Sequence, residues 1–464
     1  MLRLTPLSAP QSVHLLPVKL MPLPLTLIGP GYCTGAGEHS PGSHMLLSNT
    51  HRRRLPIAAG FLAVSVVPGL AQEALRNAVR EDGAYQARQV AASAQPGGWK
   101  AGPLYFSPAA SFGIESNDNV RNSEEKEDDL ILRPGGRVGG LWIATDRSRL
   151  SFGVGFGYEK YLQHSDLNRS YVSPDSELAY DLSVKDLVLS FYDNFTYSQD
   201  VVSQASLSGV ANLPRYDNTV GVRATWAPRE AIYSLGYAHE NFFAVGSTNS
   251  FLDRTGEQVY LSAAYRFRPK TSAGLEASGA LTDFSSSAQR DSTTVTFGPF
   301  LKWQARPWLG INLRGGSINY RPDPTNSFDH PNNQSSYYAS VNIDHQLTDH
   351  ITQALSGMRD YQTSLSEANS YVQTTTLRYS VTWALRQNTS LTGYVLYEVG
   401  QQPGAGSLGG TEDFDRIGFG LAVRQSFTQR LSTSLGYDFS NRESNLQGRS
   451  YGSNRVTLTL NYTF

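Results

Sequence analysis

Between Pro103 and Phe464 the chain repeats one pattern, a stretch in which apolar and polar residues alternate, then a turn. Leu150, Phe152, Val154, Phe156 and Tyr158 take every second position, as do Val259, Leu261, Ala263, Tyr265 and Phe267, and Leu377, Tyr379, Val381, Trp383 and Leu385. A period of two is the signature of a β-strand, whose successive side chains leave opposite faces. A strand of about 10 residues is long enough to cross a bilayer, with one face on hydrocarbon and the other on water. The pattern predicts 18 antiparallel strands, starting near residues 103, 130, 149, 176, 186, 217, 231, 256, 271, 292, 308, 336, 350, 373, 389, 415, 430 and 453. The fold class is therefore all-β, a transmembrane antiparallel up-and-down barrel. Asp193 and Arg359 fall on the face that should be apolar, which predicts bulges there or strand ends above the lipid.

The connections alternate in length. Short turns such as Lys185-Asp186, Pro269-Lys270 and Gln429-Arg430 follow the even strands. Longer loops, at 117–129, 162–175, 198–215, 243–255, 284–291, 321–335, 361–372, 399–413 and 441–452, follow the odd ones. Outer-membrane barrels sort their connections this way, short in the periplasm and long outside. Trp142, Trp226, Trp303, Trp383 and Trp308 all fall at the short-turn end. Tyr158, Tyr161, Tyr197, Phe242, Tyr320, Tyr337, Tyr361, Tyr371, Tyr397, Phe439 and Tyr451 fall at the other end. Two aromatic girdles at the two membrane interfaces are the expectation. The last strand alternates Val456, Leu458, Leu460, Tyr462 and Phe464, and the chain stops there. Such an ending resembles the assembly signal read by the barrel insertion machinery, and in a closed barrel it would pair with the first strand and leave no edge.

Upstream of the barrel the pattern changes. Residues 45–71 hold Arg52, Arg53 and Arg54, an apolar core from Ile57 to Val67, and the small residues Gly69 and Ala71, the parts of an export signal cleaved after Ala71. Residues 1–44 are proline-rich and aperiodic; the expectation is that translation starts at Met45 and that this stretch is a mis-annotated extension. Residues 72–102 read as a short polar helix in the periplasm, too short for a plug domain. The one cysteine, Cys33, precedes the cleavage point, so the mature chain would carry no thiolate, disulfide or Cys nucleophile. A mean hydropathy of -0.35 and the lack of a long apolar run exclude a helical membrane protein. A net charge of -1 gives no basic face for nucleic acid.

The parity opposite to the apolar one points into the lumen. It gathers Arg133, Arg137, Arg223, Arg266, Lys302, Arg314, Arg378, Arg424 and Arg455, faced by Glu159, Asp181, Glu276, Asp344, Glu398 and Asp438. Charges at this spacing cannot face lipid, where Arg or Lys costs about 2–4 kcal/mol at the midplane. The interior is therefore polar and hydrated, with either a mutually compensated lining or a slight basic excess that favours anionic solutes. Catalysis finds little footing. His164, His239, His330, His345 and His350 remain after signal removal; Asp344-His345 and Asp349-His350 fall at a short turn and their side chains diverge. No spacing suggests a metal site, and no cofactor is expected. The acidic run Glu124-Glu125-Lys126-Glu127-Asp128-Asp129 in the first outside loop reads as a solvated loop more readily than as a divalent-cation site.

Glu115-Ser116-Asn117-Asp118-Asn119-Val120 closes the first strand, and Leu130-Ile131-Leu132-Arg133-Pro134 opens the second. These residues resemble the putative beta-barrel porin 2 family, a resemblance that covers residues 103–464. It implies a porin-like outer-membrane barrel without catalytic residues, with a role in exopolysaccharide or capsule export. The expected partners are outer-membrane lipid and lipopolysaccharide, the barrel assembly machinery and polysaccharide export components. The alternative to a channel is a structural or adhesive barrel with binding loops and no open pore.

Overall fold

The structure, a computed structural model, describes residues 73–93, 98–198, 213–324, 333–363, 371–403 and 410–464. The expected extension, the export signal and Cys33 lie outside these residues, as does His330. The strands are β1 Leu104–Asn117, β2 Asp129–Thr145, β3 Ser148–Tyr161, β4 in two pieces (Arg169–Val172 and Glu177–Val184), β5 Leu187–Ser198 and β6 Arg215–Trp226. Then come β7 Ala231–Ala244, β8 Arg254–Arg268, β9 Thr271–Phe284, β10 Ser292–Arg306, β11 Leu309–Pro322 and β12 Gln334–Gln346. The last six are β13 Ile351–Thr363, β14 Tyr371–Arg386, β15 Thr389–Gln402, β16 Glu412–Ser426, β17 Leu431–Ser444 and β18 Tyr451–Thr463. A stub, Trp99–Ala101, pairs back onto β1. Each strand is antiparallel to the next, and β18 returns to β1 from Asn117↔Arg455 to Ala109↔Thr463. The sheet closes as an 18-stranded barrel, with the strand count and starts expected from the alternation.

Closure follows from the two faces. Leu235, Leu261 and Leu421 point outward and are each just over 50% exposed, and the apolar side chains at outward positions around the rest of the wall are exposed as well. Such a continuous apolar belt belongs in hydrocarbon. No helix among the described residues is long and apolar enough to cross a membrane. The five expected tryptophans all stand exposed at the short-turn end, from 43% at Trp303 to 51% at Trp226. The upper girdle is thinner than the sequence suggested. Tyr158, Tyr337 and Tyr397 face outward, but Tyr161, Phe242, Tyr320, Tyr361 and Tyr451 are buried. Phe242 lies under the Arg254 guanidinium at 3.9 Å, and Tyr161 under that of Arg169 at 5.7 Å. Both serve as platforms for cations rather than as lipid anchors.

Neither Asp193 nor Arg359 lies in a bulge, so of the two expectations the strand-end one remains. Asp193 stays in register with Leu178 and Val220 and accepts a hydrogen bond from Asn218 Nδ2 at 2.8 Å. Arg359 sits at the last pair of the β12–β13 ladder, with its guanidinium 4.5 Å from the Tyr337 ring. Register shifts occur instead at the short-turn ends of β2, β8, β10 and β14, for example between Arg266 and Arg268.

The motif around Asn117 closes the barrel. Asn117 Oδ1 accepts the Asn119 backbone N–H at 2.9 Å and the Ser453 hydroxyl at 3.1 Å. Asp118 accepts from Asn454 N (2.6 Å), Asn454 Nδ2 (2.7 Å) and Lys126 Nζ (2.7 Å). Asn119, fully buried, donates to the Ser123 and Gly452 carbonyls. The first loop thus extends the β1–β18 contact beyond the strands. This is an Asx-rich turn satisfying backbone groups that the end of the ladder leaves unpaired.

Candidate pore

The lumen holds the main departure from the sequence reading. Residues 72–102 were expected in the periplasm as a polar helix. The helix exists, as α1 Glu73–Ser93, but it lies inside the barrel. Leu75 and Ala78 pack with Tyr260 of β8 and Tyr338 of β12. The physical reason is charge. A helix rich in Arg, Glu and Asp has no apolar face for the membrane surface, yet it matches a lumen lined with counter-charges.

Arg88 is the hub. Its guanidinium reaches Asp181 of β4 through Nε at 2.9 Å and Nη2 at 3.0 Å, and it also pairs with Glu177 of β4 and with Glu81 two turns back on the same helix face. The Ser190 hydroxyl donates to Asp181 at 2.6 Å. Burial disfavours a lone guanidinium, and the three surrounding carboxylates compensate its charge. Further up the helix, Asp82 pairs with Arg223 of β6 (2.7 Å) and Lys302 of β10 (3.1 Å), and Arg223 also donates to the Ala78 carbonyl. Asn77 bonds Gln258 of β8, which donates to Glu240 of β7 at 2.7 Å. Arg76 pairs with Asp360 of β13, and Gln89 with Arg149 of β3. These contacts fall on the arc from β3 to β13. They carry the helix from the loop-side half of β13, near Asp360, down to the short-turn end of β3.

The remaining arc runs from β14 through β18 to β2, and there the inward side chains answer one another. The Arg378 guanidinium lies 3.8 Å from the Tyr394 ring, whose hydroxyl donates to Asp438 at 2.7 Å. Asp438 faces Arg455 across the β17–β18 ladder. Arg416 pairs with Glu398 at 3.2 Å, and Arg424 donates to the Ser432 hydroxyl at 3.3 Å. Arg133 bridges Glu115 (2.8 Å) and Glu159 (3.3 Å), and Arg137 pairs with Asp175. On the helix side, Arg314 pairs with Glu276, which also accepts the Tyr338 hydroxyl at 3.2 Å. Arg266 and Asp344 lie toward the short-turn end, away from these clusters; Asp344 faces Gly310 and Ala354 in register and is exposed.

The sequence reading therefore placed the wall charges but missed their helix partners Arg76, Glu81, Asp82 and Arg88. It also passed over Glu177, Glu240, Asp360 and Arg416. Strand parity was the available signal for these four, because each neighbours an outward position. Nothing comparable marked the helix, whose periodicity names no partner.

The acidic run of the first loop is tied up internally. Lys126 holds Asp118, Glu127 meets Arg121 (2.7 Å) and His164 Nε2 (3.0 Å), and Asp129 accepts the backbone N–H groups of Leu162, Gln163 and His164. No group of three or more His, Cys, Asp or Glu side chains among the described residues is arranged to hold a metal. His345 packs beside Trp308 with ring centroids 5.4 Å apart.

No protein-family model matches the chain, and no curated protein matches it, so the resemblance carried by residues 115–120 and 130–134 has no family match behind it. Among solved structures, the chain is similar to the outer membrane protein opdK from Pseudomonas aeruginosa, with 11% identity over 77% of this chain and 99% of that one and a TM-score of 0.44. OccAB3 from Acinetobacter baumannii matches with 12% identity over 78% and 100%, TM-score 0.45. A loop-deletion form of OmpT, an outer membrane protein of Vibrio cholerae, matches with 12% identity over 78% and 100%, TM-score 0.35. The closed sheet, its hydrocarbon-suited exterior and its charged interior make this chain a transmembrane β-barrel of the kind that outer membranes hold.

Proposed function

We propose that this chain is a diffusion channel for small hydrophilic solutes, with a bore narrowed by its own N-terminal helix. One observation carries the reading: α1 is held against the β3–β13 arc by ion pairs, while the inward charges of the opposite arc are paired along the wall. A barrel of about 18 strands is wide enough for an aqueous passage beside a helix. Arg378, Arg416, Arg424 and Arg455 outnumber Glu398 and Asp438 on that arc, which favours anions over cations. The lumen-lining set read from the sequence belongs to this proposal: Arg133, Arg137, Arg378, Arg424, Arg455, Glu159 and Asp438 line the passage, while Arg223, Lys302, Arg314, Asp181 and Glu276 hold the helix side. Export of an exopolysaccharide is the finer reading and rests on the short sequence resemblance alone; it would require α1 to leave the lumen.

The test is single-channel recording in planar bilayers under a salt gradient. Steady open steps with a reversal potential on the anion side are expected. A barrel that never conducts would instead be structural or adhesive, and a cation-selective pore would overturn the anionic preference.

A further inference from the structure

On the outer wall, β6 to β10 enclose an apolar groove of about 440 Å³. Ala224, Ala263 and Ala277 form its floor, and Trp226, Leu235 and Phe297 are among its walls. The groove comes from sequence. Here β6, β8 and the adjacent β9 carry alanine at outward positions, flanking Tyr233 and Leu235 of β7, and Ala263 faces Tyr233 and Leu275 across its two ladders. The groove opens within the membrane belt, so hydrocarbon fills it.

A second observation stands directly below. The short turns that close these strands expose Arg229, Arg268, Lys270 and Arg306, against a single exposed acid, Glu230. Backbone bonds knit the turns together: Arg266 N donates to the Glu230 carbonyl at 2.7 Å and Gln304 N to the Lys270 carbonyl at 3.2 Å. No other adjacent group of short turns gathers as many cations: Asp146 stands beside Arg147, Lys185 beside Asp186, the turn at Asp349 exposes an acid, and Arg386 and Arg430 are single charges. Trp226 and Trp303 mark the interface between belt and turns, both exposed.

We infer that this sector is a binding site for an anionic glycerophospholipid of the periplasmic leaflet. One acyl chain lies over the alanine floor and the phosphate sits among Arg229, Arg268, Lys270 and Arg306. The chain contributes burial proportional to its length, and the head group contributes an attraction that zwitterionic lipids lack and that salt screens. Neither feature alone selects a lipid. Together they match the two ends of one molecule.

Native mass spectrometry of the full chain in mild detergent tests this, with equimolar phosphatidylglycerol and phosphatidylcholine of identical acyl chains. Wild type should retain phosphatidylglycerol over phosphatidylcholine. Each removed turn charge should lower that preference roughly fivefold. R229N suits the first turn because Arg229 has φ 52, a conformation that asparagine tolerates. R268Q and K270Q are exposed single changes that serve even if a combined variant assembles poorly. A263F, which fills the groove, should abolish retention of both lipids, with folding checked by heat-modifiable gel mobility. Equal retention of the two lipids by wild type would overturn the assignment. So would a preference unmoved by R268Q and K270Q, or a dimer mass in place of the lipid adduct.

Discussion

On the arc from β3 to β13, inward charges answer the helix: Asp181 and Glu177 hold Arg88, and Arg223 and Lys302 hold Asp82. On the arc from β14 round to β2 they answer the wall itself, as Arg416 does with Glu398 and Arg133 with Glu115. Both arcs obey the same alternation, so strand parity cannot tell them apart. What separates them is whether a third body supplies the counter-charge. A charge that pairs along the wall stays where it is whatever the lumen contains. A charge that pairs with α1 depends on α1 remaining docked.

The strongest way to break this contrast is to delete residues 73–93. Single-channel conductance should rise severalfold, and the β3–β13 arc should then contribute to selectivity. An unchanged conductance would mean that the helix lies outside the conducting path. Next comes R88M, which leaves Glu81, Glu177 and Asp181 facing one another without their shared cation. Removing one partner of a buried ion pair costs about 3–5 kcal/mol, and less where lumen water reaches the group. The expected readout is rapid switching between a narrow and a wide conductance level. R88M combined with E177Q and D181N should quieten it; steady traces in R88M alone would defeat the hub role.

A smaller effect sharpens the contrast. R378E on the wall arc should move the reversal potential toward cations without altering open-state noise. R223E on the helix arc should add noise first, by releasing Asp82 and the Ala78 carbonyl. If both variants changed selectivity alone, the two arcs would be equivalent.

The smallest effect concerns the loop that fastens β1 to β18. Burial opposes the Asp118 charge, but the hydrogen bonds from Lys126 and Asn454 outweigh that cost and hold its pKa below the usual carboxylate range. A depressed carboxylate stabilises the fold above its unfolded value, and the contribution is lost as pH falls through the folded one. D118N should lower the unfolding temperature by about 1–2 °C at pH 7 and make no difference at pH 2. Equal shifts at both pH values would remove the charge from the explanation.

Much of the wall was legible because a barrel imposes period two on every strand. Strand starts, short-turn tryptophans and inward arginines follow from that single constraint. Residue character alone is a weaker guide. Tyr161 and Phe242 are aromatic and sit near strand ends, yet they lie buried beneath Arg169 and Arg254; an odd number of steps separates them from the outward Tyr158 and Tyr237, so parity marked them as inward where aromatic character alone did not. Asp193 looked like a break in the ladder because a carboxylate suits lipid poorly; Asn218, its partner across the strand pair, lies 25 residues further along the chain. Arg88 is the extreme case. Its three carboxylate partners come from its own helix and from β4, 93 residues away in the case of Asp181, and no local pattern encodes that meeting.

The position of α1 in the chain also constrains how the molecule is made. The helix precedes β1, and the ring is sealed by the final strand, β18, against that same β1. A segment that precedes every strand must therefore be enclosed by the last strand to arrive. Either the helix waits inside a half-formed, still open sheet, or it threads a finished ring from below, its ion pairs forming only afterwards. In the first case α1 would act as an internal template around which the staves gather, and chains lacking it would mature more slowly even though every wall contact is intact.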